Sequence, residues 1–82
     1  MNADDAAAAL AVGLGADRIL FVTDVPGVLV EGGVAPAIGA AEAERLVDEG
    51  HFQGGIVPKL LAAAQAARGG VIAEIGETAV LA

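Results

Sequence analysis

A short, unbroken apolar run in the first third of the chain limits the folds that this sequence can adopt. Ile19-Leu20-Phe21-Val22 follows the polar Arg18 and ends at Thr23-Asp24. Because the run does not alternate between apolar and polar side chains, it predicts a strand that is buried on both faces of a sheet. Helical patterns lie before and after it, so the sequence predicts an α/β fold with a mainly parallel sheet.

Helix and strand signals alternate along the rest of the chain, with glycines between them. Helices are predicted at residues 4–14, 40–49 and 56–68, with Asn2 or Asp4 as the cap of the first. Further strands are predicted at residues 71–75 and 79–81, and a small hairpin at residues 28–34. A chain of 82 residues favours a single small domain.

Composition excludes several kinds of site. The chain has no cysteine and a single histidine, His51, so no disulfide, thiolate zinc site or multi-histidine metal cluster is expected. Hydrophobic residues make up 56% of the chain and aromatic residues only 2%, which favours closely packed layers of small side chains.

Charge argues against two classes of partner. The formal net charge is −7, and the four basic residues are scattered along the chain, so neither nucleic acid nor an anionic membrane is an expected partner.

No apolar run approaches the roughly 20 residues of a spanning helix, and the start lacks the basic residues of a signal peptide, so a cytoplasmic location is expected.

Two polar segments are candidate binding sites. Thr23-Asp24-Val25-Pro26-Gly27 follows the predicted strand, where ligands bind in open α/β sheets, although an ordinary turn explains the same residues. Gly54-Gly55 leads into the third helix, whose first turn carries Lys59, the only lysine. Backbone N–H groups there can bind a phosphate, and a solvated lysine beyond a flexible turn is the alternative.

Three further positions have plain structural explanations. Asp4 is a helix cap or a partner that aligns a lysine ammonium group. His51, alone after Gly50, is typical of a capping or packing residue. The acidic residues of the second helix form a solvated face. The sequence has no P-loop, nucleophile elbow or H-E-x-x-H pair.

Three ordered segments resemble the amino-acid kinase family, with the best match in its acetylglutamate kinase branch. The first runs from Asn2-Ala3-Asp4 through Leu14-Gly15-Ala16-Asp17 to Thr23-Asp24-Val25-Pro26-Gly27-Val28. The second is Ala40-Ala41-Glu42-Ala43-Glu44 with Leu46 and Gly50, and the third, Gly54 to Lys59, is similar to the family's G-G-M-x-P-K segment. The resemblance implies a partial αβα sandwich that represents the ATP-binding, C-terminal part of such a kinase, over residues 1–82.

The resemblance also implies a function and roles for residues. The function is ATP-dependent phosphorylation of the side-chain carboxylate of N-acetyl-L-glutamate in arginine biosynthesis. Lys59 would stabilise charge on the transferring phosphoryl group, and Asp4 would organise the catalytic lysines, so folding is expected to bring the two together. The nucleotide would be surrounded by Thr23, Asp24, Val25, Pro26, Gly27, Val28, His51, Phe52, Gln53, Gly54 and Gly55. Mg²⁺ would arrive with ATP, because no residue is a clear ligand for it.

The chain departs from the family's pattern at its start. Met1-Asn2-Ala3-Asp4 lacks the first asparagine of the family's N-x-N-A-D run, which leaves Asn2 as a weak candidate for substrate contact. The family's N-terminal half, with its glycine-rich loop, second lysine, substrate pocket and main dimer contacts, has no counterpart among these residues. The chain alone is therefore expected to be inactive, and to self-associate through uncovered apolar surface.

Two alternatives stay open on sequence grounds. One is another member of the family, such as an aminoadipate-pathway, glutamate, aspartate or uridylate kinase, because substrate choice lies in the family's other half. The second is a noncatalytic α/β interaction module, which the acidic composition and the absent substrate pocket favour.

Overall fold

A computed structural model of the chain describes residues 3–30 and 32–82. Three helices alternate with six short strands in the described ranges. The helices are α1 (Ala3–Leu14), α2 (Ala40–Asp48) and α3 (Ile56–Arg68). The strands are β1 (Arg18–Phe21), β2 (Leu29–Val30), β3 (Gly33–Val34), β4 (Ala37–Gly39), β5 (Ile72–Ile75) and β6 (Thr78–Leu81).

Four strands form a mixed sheet with the order β1-β5-β6-β4. β1 pairs with β5 in parallel and β4 pairs with β6 in parallel, whereas β5 and β6 are antiparallel neighbours joined by a tight turn. β2 and β3 form a separate antiparallel hairpin between β1 and β4. The predicted α/β class, the mostly parallel sheet and the small hairpin are therefore confirmed.

The core lies between the sheet and a single layer of helices. α3 is the central helix, since it packs against α1 on one side and α2 on the other and covers β5 and β6. Its buried face is made almost wholly of alanine, which lets the helix approach the sheet closely. The side chains that meet it from β5 and β6 include Ala73, Ile75 and Val80, all fully buried.

The prediction that the first strand is buried on both faces is wrong. Phe21 is only 4% exposed, but Leu20, on the opposite face of β1, is 62% exposed. The cause is that the described helices cover one face of the sheet. β1 is also the outermost strand on its side, so its apolar run is buried on the helix side alone.

The bare face of the sheet combines apolar side chains with one ion pair. Leu20, Ile72 and Leu81 are exposed there, and Arg18 Nε lies 3.4 Å from Glu74 Oε1 across β1 and β5.

No helix within the described part of the chain is long and apolar enough to cross a membrane.

β4 is an element that the sequence analysis missed. It has three residues, directly precedes α2, and pairs with β6 in the register Ala37↔Ala79 and Gly39↔Leu81. A run of this length between Pro36 and a helix carries too little periodicity to be recognised. The other predicted helices and strands are present within about two residues of their expected ends, the usual uncertainty of such boundaries.

Candidate functional site

The two candidate segments of the sequence line one cleft. The cleft has a volume of about 430 Å³ and lies where the chain leaves β1 and where α3 begins. Thr23, Asp24 and Val25 form one wall, and Gln53, Gly55 and Lys59 form the other. The two segments are about 30 residues apart in the sequence, so the cleft is a product of the fold, at the carboxyl end of a parallel strand.

Lys59 and Asp4 meet beside this cleft. Lys59 Nζ lies 3.4 Å from Asp4 Oδ2, and each side chain is 26% exposed. α1 and α3 pack against each other and carry one partner each, which explains how residues 55 positions apart become neighbours. The expected proximity of the two residues is confirmed, while their catalytic roles stay predictions.

Asp4 also compensates for the unfavourable position of the Lys59 charge. Lys59 lies in the first turn of α3, where a cation opposes the helix dipole by roughly 0.3–1 kcal/mol. The Asp4 carboxylate offsets part of that cost without any bound ligand. Asp4 lies inside the first turn of α1 rather than before it, so it does not act as the cap residue. Asn2, the other predicted cap and a weak candidate for substrate contact, lies outside the described residues.

The glycines before α3 have open space around them. A Cβ atom placed on Gly54 or Gly55 would meet no atom within 4 Å. Gly54 has a φ of +74°, a backbone conformation that suits glycine, and its carbonyl accepts a 3.2 Å hydrogen bond from the Val57 N–H. Packing therefore does not explain a second glycine at Gly55, whereas close approach of a ligand to the backbone would.

The predicted nucleotide-binding residues do not all line this cleft. Val28 is fully buried, and its N–H donates a 2.8 Å hydrogen bond to Thr78 Oγ1. Pro26 accepts a 2.8 Å hydrogen bond from the Glu77 N–H. A Cβ atom on Gly27 would lie 2.7 Å from Thr78 Oγ1. These three residues anchor the loop after β1 to the start of β6, and their contact with a nucleotide stays a prediction.

His51 and Phe52 line a second cleft, of about 360 Å³. Its other walls come from β2 and α2: Leu29, Val30, Glu42, Arg45 and Leu46. Because Phe52 and Gln53 are consecutive, the loop before α3 contributes to both clefts. The hairpin and helix residues of the second cleft were missed by the sequence analysis, since each has an ordinary place in its own element.

Arg45 and His51 in the lining of the second cleft both contact the Glu49 carboxylate. Arg45 Nη1 donates to Glu49 Oε2 at 3.1 Å, and His51 Nε2 lies 3.2 Å from Glu49 Oε1. The hydrogen bond from Arg45 is the main reason that the pKa of Glu49 lies below its ordinary value of 4.5. Desolvation opposes this shift, while the Coulombic attraction of Arg45 and the contact with His51 lower the pKa further.

The described residues offer no metal centre. No group of three or more histidine, aspartate or glutamate side chains is placed to hold an ion within the described ranges. Among the described residues that line the first cleft, Asp24 is the single carboxylate. A resident Mg²⁺ site does not fit these residues.

Sequence comparison finds relatives along almost the whole chain. The profile of the amino acid kinase family matches residues 1–75. Acetylglutamate kinase from Rubrobacter xylanophilus is 59% identical over 75 residues, which are 92% of this chain and 30% of that protein. Acetylglutamate kinase from Roseiflexus castenholzii is 51% identical over 71 residues, which are 87% of this chain and 27% of that protein. The chain thus spans less than a third of the length of these relatives.

Solved structures show the same arrangement of elements. The protein smu.665 from Streptococcus mutans superposes with a TM-score of 0.88 at 33% identity, over 96% of this chain and 35% of that one. Carbamate kinase from Giardia lamblia, bound to citric acid, superposes with a TM-score of 0.85 over 98% of this chain and 30% of that one. Its identity of 23% shows the fold alone. From the family profile and the curated relatives together, this chain belongs to the amino acid kinase family.

Proposed function

We propose that the first cleft binds the phosphates of ATP, and that the chain is the nucleotide-binding part of an acetylglutamate kinase. The observation that carries the proposal is the meeting of three features in one place. These are a lysine held by an aspartate, a glycine-led helix start, and the polar exit of a parallel strand. The identities of 59% and 51% to acetylglutamate kinases favour N-acetyl-L-glutamate as the acceptor.

Phosphoryl transfer needs mainly positioning and electrostatic stabilisation of the charge on the phosphoryl oxygens. Lys59 would supply a positive charge at the start of α3. The open backbone at Gly54-Gly55 would let N–H groups approach the phosphate oxygens. Asp4 would keep the Lys59 ammonium group directed into the cleft through its hydrogen bond. An ammonium group has three donors, so bonding to Asp4 leaves capacity for a phosphate.

The acceptor site is proposed to lie in the part of the relatives that this chain does not span. The relatives are more than three times as long as the matched segment. Within residues 3–30 and 32–82, the lining of the first cleft offers no second cation to fix an acceptor carboxylate. In this proposal the 82 residues bind nucleotide weakly, and catalytic turnover requires the additional residues of the full-length relatives.

Calorimetric titration with Mg-ATP tests the nucleotide site. The wild-type chain is expected to give a saturable signal that weakens at least about tenfold in Lys59→Ala, which corresponds to loss of about 1.4 kcal/mol of binding free energy. Arg68→Ala is the matched control, because it removes a cation at the other end of α3 that pairs with Glu44. This control should bind Mg-ATP as the wild type does.

A saturable signal that survives Lys59→Ala unchanged would place the nucleotide elsewhere. Absence of a signal at millimolar Mg-ATP would favour the noncatalytic interaction module. Assays of the chain with ATP and N-acetyl-L-glutamate, aspartate, glutamate or uridylate are expected to show no turnover, because the proposed acceptor site lies outside these residues. Turnover by the isolated chain at ordinary enzyme rates would contradict the proposed location of the acceptor site.

A further inference from the structure

One buried hydroxyl group links the hairpin to the main sheet. Thr78 is the only buried polar residue within the described ranges, and its side chain is 0% exposed. Its Oγ1 accepts a 2.8 Å hydrogen bond from the Val28 N–H and donates a 2.6 Å hydrogen bond to the Ala35 carbonyl oxygen. Thr78 lies beyond residues 1–75, which the family profile matches, so that match assigns it no role.

The hydroxyl group occupies the position of a backbone hydrogen bond in the hairpin. β2 and β3 pair Leu29 with Val34 and Val30 with Gly33, so the next pair in register is Val28 with Ala35. A hydrogen-bonded antiparallel pair exchanges two N–H···O bonds. The Ala35 N–H does donate to the Val28 oxygen at 2.9 Å. The reverse connection runs from the Val28 N–H through Thr78 Oγ1 to the Ala35 oxygen.

This insertion ties the base of the hairpin to β6. The Glu77 N–H donates to the Pro26 oxygen at 2.8 Å, and the Ala79 N–H donates to the Pro36 oxygen at 3.1 Å. Residues 77–79, at and just before the start of β6, therefore hold the chain on both sides of the hairpin, with the Thr78 hydroxyl group between the two backbone bonds. One held end, Pro26, directly follows Val25 in the wall of the first cleft.

We propose that Thr78 is a positioning residue whose hydroxyl group fixes the wall of the nucleotide cleft formed by Thr23, Asp24 and Val25. The hydroxyl group does not touch the ligand, and it acts by setting where the backbone at Val28 lies. The residues between Val28 and the cleft wall are Pro26 and Gly27, which pack against the β5–β6 turn. A shift of the Val28 backbone would therefore move the cleft wall as well. The link to nucleotide binding rests on the function proposed above, whereas the geometric link does not.

Replacement of the hydroxyl group by a methyl group of similar size tests the inference. Thr78→Val is expected to shift the backbone amide NMR signals of Thr23, Asp24 and Val25. It should also speed hydrogen exchange at the Val28 amide by about five- to tenfold, as expected for loss of one hydrogen bond. Thr78→Ser keeps the hydroxyl group and should restore wild-type signals at the cleft wall. Thr78→Ala is the second variant if Thr78→Val does not fold, and it should shift the same three amides.

Val80→Ala is the matched control, because it removes buried volume from the same face of β6 and leaves the hydroxyl group in place. This control should lower stability without moving the amides of Thr23, Asp24 and Val25. Unchanged cleft signals in folded Thr78→Val, or in folded Thr78→Ala, would overturn the inference. Equal shifts in Val80→Ala would overturn it as well, since they would show a general effect of core loosening.

Mg-ATP titration of the same variants separates the inference from the proposed function. If the wild type binds, Thr78→Val should bind about fivefold more weakly and Thr78→Ser as the wild type does. Equal binding by Thr78→Val and the wild type would contradict the positioning role. Failure of the wild type to bind would contradict the nucleotide site. The amide signals would still test whether the Thr78 hydroxyl group fixes the cleft wall.

Discussion

Two pairs of glycines in this chain have opposite surroundings. Gly27 and Gly76 lie where chain segments cross, and a Cβ atom on Gly76 would collide with the Pro26 carbonyl oxygen. Gly54 and Gly55 lie before α3, with no atom within 4 Å of the added carbon. The first pair is explained by packing within the fold. The second pair leaves an open backbone beside Lys59, which is what a phosphate-binding helix start requires.

The contrast suggests that stability and binding measurements can separate glycines needed for packing from glycines kept for ligand approach. A glycine that is needed for packing should lower stability when it is replaced, whatever happens to binding. A glycine that is kept for ligand approach alone, as proposed for Gly55, should tolerate alanine in the free protein and lose affinity in the complex. Gly54 differs, because its φ of +74° makes alanine costly even in open space. The following variants test the two halves of this comparison.

The largest effect is expected at the β5–β6 turn. Gly76→Ala introduces a collision with Pro26 at a position whose φ is +57°, so the free energy of unfolding should fall by about 3 kcal/mol or more. Gly54→Ala places the same methyl group at a φ of +74° in open space and should cost about 1–2 kcal/mol. Urea denaturation measures both. Equal losses would show that backbone conformation alone, rather than packing, explains Gly76.

The second effect concerns the ion pair beside the cleft. Asp4→Asn should weaken Mg-ATP binding by about three- to tenfold, because the Lys59 ammonium group loses the partner that directs it. Stability should change by less than about 1 kcal/mol, since the pair is partly exposed. In a double-mutant cycle with Lys59→Ala, the Asp4 effect on binding should disappear. Additive effects would mean that Asp4 acts independently of Lys59.

A smaller change in binding is expected at the second open glycine. Gly55 has a φ of −66° and a ψ of −16°, which alanine adopts without strain, so Gly55→Ala should leave stability unchanged or raise it slightly. The added methyl group at the cleft wall should weaken Mg-ATP binding about fivefold.

Gly39→Ala is the control for this variant. Gly39 also precedes a helix, has a φ of −75° and open space around it, and lies outside the lining of both clefts. It should affect neither stability nor binding strongly. Wild-type affinity in Gly55→Ala would remove the argument that Gly55 is kept for ligand approach.

The smallest effect is a pH dependence at the second cleft. The pKa of Glu49 is lowered in the folded chain, mainly by the Arg45 hydrogen bond, so its stabilising contribution is complete above about pH 4.5 and is lost as the pH falls through the lowered value. Glu49→Gln should therefore be slightly less stable than the wild type at about pH 6, with a smaller difference at about pH 3.5.

Urea midpoints at the two pH values measure this difference, with Arg45→Gln as the second variant. Arg45→Gln should lose most of this pH dependence, because it removes the main donor that lowers the Glu49 pKa and leaves the contact with His51. A stability difference that is equal at both pH values would contradict the assignment to Glu49.

The local elements were largely predictable from the sequence, because their signals are short-range. The alanine-rich run predicts α1, and the glycines after residues 49 and 68 mark the ends of α2 and α3. Burial was harder to predict. Whether the apolar run of β1 is covered on one face or two depends on which helices pack against it, and this is a tertiary property that leaves no mark in the run itself.

The candidate site was also predictable only in part. The resemblance to a kinase family predicted that Asp4 and Lys59 would meet, and they do so at 3.4 Å. The role of Thr78 was not predictable, since its partners Val28 and Ala35 are 50 and 43 positions away. The walls contributed to the second cleft by Leu29 and Arg45 were missed for the same reason.

A titration of the ¹⁵N-labelled chain with Mg-ATP, followed by amide NMR, would locate the nucleotide site residue by residue. We predict saturable shifts concentrated at Thr23, Asp24, Gln53 and Gly55, with the Lys59 amide among them, and loss of this pattern in Lys59→Ala. Shifts that stay absent at millimolar Mg-ATP, or that map to the bare face of the sheet around Leu20 and Ile72, would contradict a nucleotide site at the start of α3.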